Sequence, residues 1–321
     1  MPPLRAYEVC AAFGLGRPLS RGHSVSGGFT HTTWRLRAEG GVFAVKLLHH
    51  HWREPERRRV YEGTFELERQ AVTAGLPAAE PVIAPGGSWL EDLSQGPVRV
   101  HRWVDGVPLR ASEVGVDEAR QLGGVLAAIH RLGIRREVAA AALLPLWDPA
   151  AWDEYALELQ ELRGLRPAME RLRDVVAAGR SLVGEPVLSH GDLNVKNLLR
   201  QPDGVLVLLD WDSAEPTDPA MDAAGAAAGL GGLQGRAPRP AVVRAFMRAY
   251  RGGGGEFDKA DYRVFAGMLN GLHGWLFALY RRAVSAPTAA ERAQGRRLAG
   301  QLARRLPLII DSLDSWARLL D

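Results

Sequence analysis

Residues 189–199 read Ser189-His190-Gly191-Asp192-Leu193-Asn194-Val195-Lys196-Asn197-Leu198-Leu199, and a second element, Leu209-Asp210-Trp211-Asp212, places Asp210 thirteen residues after Asn197. Asp192 and Asn197 lie five apart in a short loop between apolar runs. The apolar strand Val205–Leu209, reached through a turn at Pro202-Asp203-Gly204, is placed to fold back and deliver Asp210 to that loop. An amide oxygen and a carboxylate meeting at one point form a hard oxygen site. Mg²⁺ suits it, because that ion needs only one or two protein ligands when phosphate oxygens and water complete its shell. Asp192 is then left to face a substrate hydroxyl. A positioning carboxylate, metal ligands and a cation on the phosphates are the parts that phosphoryl transfer requires.

Upstream of the motif the sequence changes character. Ser24–Leu36 begins with small residues around Gly27-Gly28 and becomes rich in Thr and aromatics, Ala38–Gly41 is a hairpin turn, and Val42–Leu48 is a short apolar strand carrying Lys46. Arg53–Ala74 is charged and helix-compatible and stops at Gly75-Leu76-Pro77, and the short apolar runs Val82–Ala84 and Val98–Val104 follow. After the turn Asp105–Pro108 the pattern is helical. Asp117–Leu132 carries Leu122, Val125, Leu126 and Ile129 at helical spacing, with Asp117 placed to cap. Asp148–Leu165, Pro167–Leu182, Pro240–Arg251, Asp258–Val284 and Thr288–Leu319 read as further helices, the last broken near Pro307. The expected division is residues 1–104, with a hinge at about 101–106, and residues 105–321.

His190-Gly191-Asp192 with Asn197, followed by Asp210-Trp211-Asp212, resembles the aminoglycoside phosphotransferase superfamily, relatives of the protein kinases. The resemblance covers roughly residues 20–280. It implies an α+β, bilobal protein-kinase-like fold: a small antiparallel-sheet N-lobe with one helix, and a larger, mostly helical C-lobe. It also implies an enzyme moving the γ-phosphate of ATP or GTP, with Mg²⁺, to a hydroxyl of a small molecule. Asp192 takes the catalytic position, and Asn197 and Asp210 take the metal positions. Lys46 takes the place of the strand lysine on the α- and β-phosphates. Its helix partner is expected among Glu62, Glu66 and Glu68, with Glu66 preferred on its distance from Gly75. Gly27 and Gly28 stand where the phosphate-covering hairpin belongs, with Ser26 and Thr30 as donors. The Arg102 carbonyl and the Val104 amide stand where a purine edge would pair. His190 is read as an organiser of the loop, with Asp212 and Lys196 in supporting places; Asp218 and Asp222 are read as loop-tying and capping acids.

Composition narrows the alternatives. Hydrophobic residues at 46% and charged residues at 24% exclude wholesale disorder, and a net charge of +3 does not call for a nucleic-acid partner. No run of about 18 apolar residues occurs and Met1–Arg5 leads into no signal-like stretch, so no membrane role and a cytoplasmic location are expected. The single cysteine, Cys10, excludes an internal disulfide. Only three of the 40 basic residues are Lys (Lys46, Lys196 and Lys259), so a surviving Lys marks a place where an ammonium and a guanidinium are not interchangeable.

Three features are decoys. His49-His50-His51 alternates in direction and converges poorly on an ion. Gly229–Gly235 misplaces the third glycine of a dinucleotide fingerprint, and the paired arginines of the C-terminal helix are helix faces.

For the acceptor, residues 211–321 hold 15 cationic and 11 acidic side chains, an excess of four positive charges. That argues against a polycationic aminoglycoside and towards a nucleoside, peptide or glycoside antibiotic, with Trp147, Trp152 and Trp275 as stacking candidates. Competing readings are an aminoglycoside kinase proper, a choline-, homoserine- or fructosamine-type metabolite kinase, and, least favoured, a nucleotide-binding pseudokinase.

Overall fold

The computed structural model describes residues 3–25, 31–48, 55–233, 238–258 and 261–321, with residues 55–60 as backbone only. In chain order the helices are α1 (Ala6–Phe13), α2 (Pro55–Thr73), α3 (Val116–Arg131), α4 (Ala140–Leu143), α5 (Ala151–Glu158), α6 (Arg166–Gly179), α7 (Pro219–Gly231), α8 (Pro240–Gly252), α9 (Ala266–Ser285) and α10 (Ala289–Ala317). The strands are β1 (His23–Val25), β2 (Thr32–Ala38), β3 (Gly41–Leu47), β4 (Glu91–Leu93), β5 (Gly96–Arg102), β6 (Val107–Pro108), β7 (Val187–Ser189), β8 (Leu198–Arg200), β9 (Leu206–Leu208) and β10 (Glu215–Thr217).

Two compact units emerge, Met1–Arg110 with His190–Glu215, and Ala111–Ser189 with Pro216–Asp321. They differ from a single cut after residue 104, because the motif segment belongs with the N-terminal residues. β8 pairs with both β6 and β9, and the β9 residue Leu208 donates its N–H to the Pro77 carbonyl at 2.8 Å.

In the first unit an antiparallel sheet runs β1-β2-β3-β5-β4. Alternation sorts its side chains. Phe43, Val45 and Leu47 of β3 and Val98 and Val100 of β5 join Val9 and Phe13 of α1 in one apolar cluster. The period of two turns Ala44 and Lys46 to the other face. The register pairs Lys46 with Arg99 and Ala44 with His101, so all four share that face. The apolar run Val82–Ala84 forms no strand. An isolated bridge, Pro81 to His101, joins that segment to the sheet, with the Val82 N–H on the Val100 carbonyl and the Arg102 N–H on the Glu80 carbonyl, each at 2.8 Å.

The second unit is mostly helical. α3 packs on α8, where Gly123 lets the backbones approach: a Cβ there would collide with the Phe246 carbonyl. The α3 cap is Gly115, whose N–H bonds to Glu118, so Asp117 sits inside the first turn rather than at the cap. α10 runs unbroken through Pro307, contrary to the expected break, held by buried Leu306, Ile309, Ile310 and Leu313 on either side of the proline. Asp148–Leu165 yields a shorter α5 and a 3₁₀ turn, and Asp258–Val284 becomes helical in earnest only at Ala266.

Candidate active site

The motif loop lies in the first unit, between His190 and the β8–β9 hairpin. Gly191 adopts φ 73°, and a Cβ there would strike the Ser213 carbonyl, so glycine alone fits between the two halves of the motif. His190 is fully buried. Its Nδ1 accepts from the Asp192 N–H at 3.2 Å, so Nε2 carries the proton and donates to the Leu209 carbonyl at 3.1 Å. Trp211 meets the ring edge-on at 4.8 Å between centroids. One histidine thus ties the start of the loop to the strand that delivers Asp210.

Three side chains hold the Asp192 carboxylate. Asn194 donates its amide to Oδ1, Asn197 donates Nδ2 to Oδ2 at 3.0 Å and to the Asp192 carbonyl at 2.9 Å, and Lys196 Nζ lies 2.8 Å from Oδ2. With its NH₂ spent on Asp192, the 5% exposed Asn197 keeps its Oδ1 for another partner. The Leu209 N–H donates to the Asn197 carbonyl at 2.8 Å, which sets Asp210 beside it. Asp210 has φ 63°; it alone among the described non-glycine residues adopts positive φ, a strained conformation of the kind found at functional sites. Asn194 went unassigned in the sequence. It also caps the short turn Val195–Asn197 by accepting from the Lys196 N–H.

Lys46 comes to this loop. Its Nζ lies 2.7 Å from Asp210 Oδ1 and 2.6 Å from Asp212 Oδ2. Burial alone would pull this ammonium down, but the charges of Asp212 and then Asp210 overcome it and hold Lys46 above the ordinary lysine value. The expected Glu66 partner is a correction. Glu66 is half-exposed and bound to Arg69 and Gln70 along its own helix, whereas Glu68 is the buried acid of α2.

Glu68 pairs with Arg99, itself only 2% exposed, and accepts from His101 Nε2 at 2.9 Å. Burial pushes the Glu68 carboxyl up, and the positive charges of Arg99 and His101 outweigh it, leaving the group at about 2. Arg99 NH1 reaches Asp212 Oδ1 at 3.0 Å, and His31 Nε2 lies 3.3 Å from Asp212 Oδ2. Lys46, Asp212, Arg99, Glu68 and His101 therefore form one continuous chain of contacts on the sheet face that Lys46 shares.

The remaining sequence candidates are placed as follows. Gly27 and Gly28 lie outside the described residues, as do Ser26, Thr30 and the His49–His51 run. Arg102 ends β5, with its N–H turned away from β3 to the Glu80 carbonyl at 2.8 Å. Its own carbonyl points to that same side, since a strand residue presents both groups to one side, and residues 80–82 lie along it. The last ladder bond, Trp103 N–H to the Val42 carbonyl at 2.9 Å, precedes Val104. In the second unit Asp218 caps α7 by accepting from the Met221 N–H, and Asp222 accepts from the Ser189 hydroxyl at 2.6 Å and lies 3.1 Å from His130 Nε2. Trp152 is core, Trp147 stacks on His273 with centroids 3.7 Å apart, and Trp275 is 41% exposed.

The residues present suit a hard divalent cation. Asn197 Oδ1 and the Asp210 carboxylate are oxygen donors at one end of a hairpin. A pair is sufficient for Mg²⁺ on phosphates, although no larger His, Cys, Asp or Glu cluster fit for a metal occurs among the described residues.

A family model described as "Phosphotransferase enzyme family" matches residues 22–265. The chain belongs to that phosphotransferase family. It is accordingly a phosphotransferase with an alcohol group as acceptor, on an α+β protein-kinase-like fold. Among solved structures it is similar to a microcompartment-associated aminopropanol kinase (TM-score 0.66, 16% identity, 98% of this chain and 99% of that one). It is also similar to a spectinomycin phosphotransferase in complex with ADP and spectinomycin (0.63, 15%, 90% and 92%). A third is the macrolide 2'-phosphotransferase of Brachybacterium faecium (0.54, 21%, 93% and 98%). At these identities the likeness concerns the fold. No helix among the described residues is long and apolar enough to cross a membrane.

Proposed function

We propose that this phosphotransferase moves the γ-phosphate of ATP or GTP, with Mg²⁺, to a hydroxyl of a natural-product antibiotic, in the cytoplasm. The observation that carries the phosphoryl-transfer site is the set of three donors fixing Asp192 beside Asn197, with Asp210 delivered next to it and Lys46 bound to Asp210. Asp192 accepts the proton of the acceptor hydroxyl as that oxygen attacks the γ-phosphorus and the bond from the γ-phosphorus to the bridging β–γ oxygen breaks, releasing the nucleoside diphosphate. Lys46 turns from the two aspartates to the α- and β-phosphates, and Asn197 Oδ1 and Asp210 would hold the cation. When bound, Mg²⁺ neutralises charge on the phosphate oxygens. Lys196 and Asn194 keep the Asp192 carboxylate aimed, and the backbone at Arg102 and Val104 pairs with the purine edge. Gly27 and Gly28 cover the phosphates.

For the acceptor, the positive balance of residues 211–321 supports a weakly cationic nucleoside, peptide or glycoside. One observation favours a second reading, a cationic acceptor of aminoglycoside or choline type. Residues 148–161 carry Asp148, Asp153, Glu154, Glu158 and Glu161 with no Lys or Arg, next to the aromatic group of Trp147, Tyr155 and Tyr280. Incubating purified protein with labelled ATP or GTP and Mg²⁺ against antibiotics and metabolites of both charge classes separates the two. Labelled product confined to nucleosides, peptides or neutral glycosides supports the first; product confined to polyamines and choline-like alcohols overturns it in favour of the second.

A further inference from the structure

The buried carboxylate of α2, Glu68, is spent on Arg99, and a loop carboxylate, Asp212, holds Lys46. We propose that Arg99 is a positioning residue for nucleotide phosphate binding: it holds Asp212 so that Lys46 is both aimed and releasable. The inference rests on the nucleotide reading of this site and deepens it.

The geometry supplies the reason. Lys46 and Arg99 are cross-strand neighbours on one sheet face, where two like charges would repel. Asp212 sits between them, giving Oδ2 to Lys46 at 2.6 Å and Oδ1 to Arg99 at 3.0 Å. When Lys46 leaves for phosphate oxygens, Asp212 loses one counter-ion in a place only 10% exposed. A buried carboxylate with no fixed charge beside it is costly, so without Arg99, and with only the His31 ring left 3.3 Å away, it would compete with the phosphates for the ammonium. Arg99 stays behind as the compensating charge. Glu68 fixes it from one side, and the Phe65 ring, 3.9 Å from the guanidinium carbon, stacks on it. A planar fork serving two carboxylates at once is work for arginine rather than lysine.

Because the acceptor is not needed for this step, the test reads binding alone: calorimetric titration of the intact protein with MgADP and with adenosine, which lacks the phosphates. Wild type, Arg99→Met, Arg99→Lys and Glu68→Gln/Arg99→Met are compared, each with a thermal melt. Arg99→Met is expected to lose about tenfold or more of the preference for MgADP over adenosine, which is about 1.4 kcal/mol, while adenosine affinity stays within about twofold. Arg99→Lys recovers part of that preference. The double variant no longer buries Glu68 without its Arg99 counter-charge, so it melts nearer to wild type than Arg99→Met does, yet keeps the phosphate defect. A double variant that regains the wild-type preference overturns the proposal, leaving Arg99 as no more than a counter-ion for Glu68. Equal losses for adenosine and MgADP in Arg99→Met also overturn it, because a distorted sheet would weaken both. A wild-type protein that does not prefer MgADP overturns the nucleotide reading as well, whereas a preference unchanged by Arg99→Met overturns this inference alone.

Discussion

The interiors of the two units treat ionisable groups in opposite ways. Behind the sheet of the first unit, Lys46, Asp212, Arg99 and Glu68 are buried and charged, each facing an opposite charge. Burial works against Lys46, Asp212 and Glu68, but their partners outweigh it: Lys46 is held above the usual lysine value, and Asp212 and Glu68 are held below the usual carboxylate range. In the second unit burial wins. It lowers His273, stacked on Trp147, to about 4, and with the nearby Asp222 and Asp218 charges it raises the Tyr250 phenol, so both side chains are neutral at pH 7. Tyr250 and His130 meet through a hydrogen bond at 2.8 Å, in a cluster with Ser189 and Asp222. Charge is retained around Lys46 and Asp212, whereas the His273 and Tyr250 side chains stay neutral.

The largest effect expected is at the motif loop. Asp192→Asn keeps the shape and removes the base, so transfer to any identified acceptor falls by about 10²–10⁴-fold while MgADP affinity stays within about twofold. Steady-state kinetics beside calorimetry checks both halves.

Acid titration sharpens the contrast between the interiors. A carboxyl depressed in the folded state gives stability that is present above its unfolded value and lost as pH falls through the folded value. Glu68, at about 2 against an ordinary 4.5, therefore costs the protein stability on the order of 3 kcal/mol as pH falls from 4.5 towards 2. Glu68→Gln removes that part of the slope, measured as melting temperature against pH.

Lys46→Arg keeps the charge but replaces a compact ammonium set between two carboxylates by a wider fork. The expected fall in kcat/KM is about 10–100-fold, the worth of one charge-assisted hydrogen bond. Near-normal kinetics would remove Lys46 from the phosphates.

The smallest effect lies in the second unit. His273 at about 4 against 6.5 means that the unfolded chain takes up the proton first, so stability falls as pH drops from 6.5 to 4. Because the ring is partly exposed, the loss is about 1 kcal/mol after solvent screening. His273→Phe retains the stack on Trp147 and flattens the melting curve in that window only, leaving the 4.5-to-2 window as it was.

The motif residues were legible because chemistry demands particular atoms at fixed spacing along one loop: Asp192, Asn197 and Asp210 depend on little beyond the hairpin that joins them. Lys46 stood out through the scarcity of lysine. The choice between Glu66 and Glu68 was not legible, since two residues on a helix point about 200° apart and only the docking of α2 on the sheet decides which faces inward. Arg99 was hidden by the reverse of the lysine argument, as one of very many arginines. Its signal was positional, an Arg between Val98 and Val100 in a strand whose neighbours are buried. The unbroken α10 was missed because a proline reads locally as a helix stop. The buried leucine and isoleucine contacts that hold the helix through Pro307 are not local.

In the proposed site Asp210, with Asn197, would hold the divalent cation on the nucleotide phosphates. Calorimetric titration with ADP, with and without Mg²⁺, of wild type and Asp210→Asn tests it without any acceptor. Mg²⁺ is expected to tighten ADP binding in wild type, and Asp210→Asn to lose most of this gain while its metal-free ADP affinity is at least that of wild type. An Asp210→Asn protein that keeps the full Mg²⁺-dependent gain would contradict it.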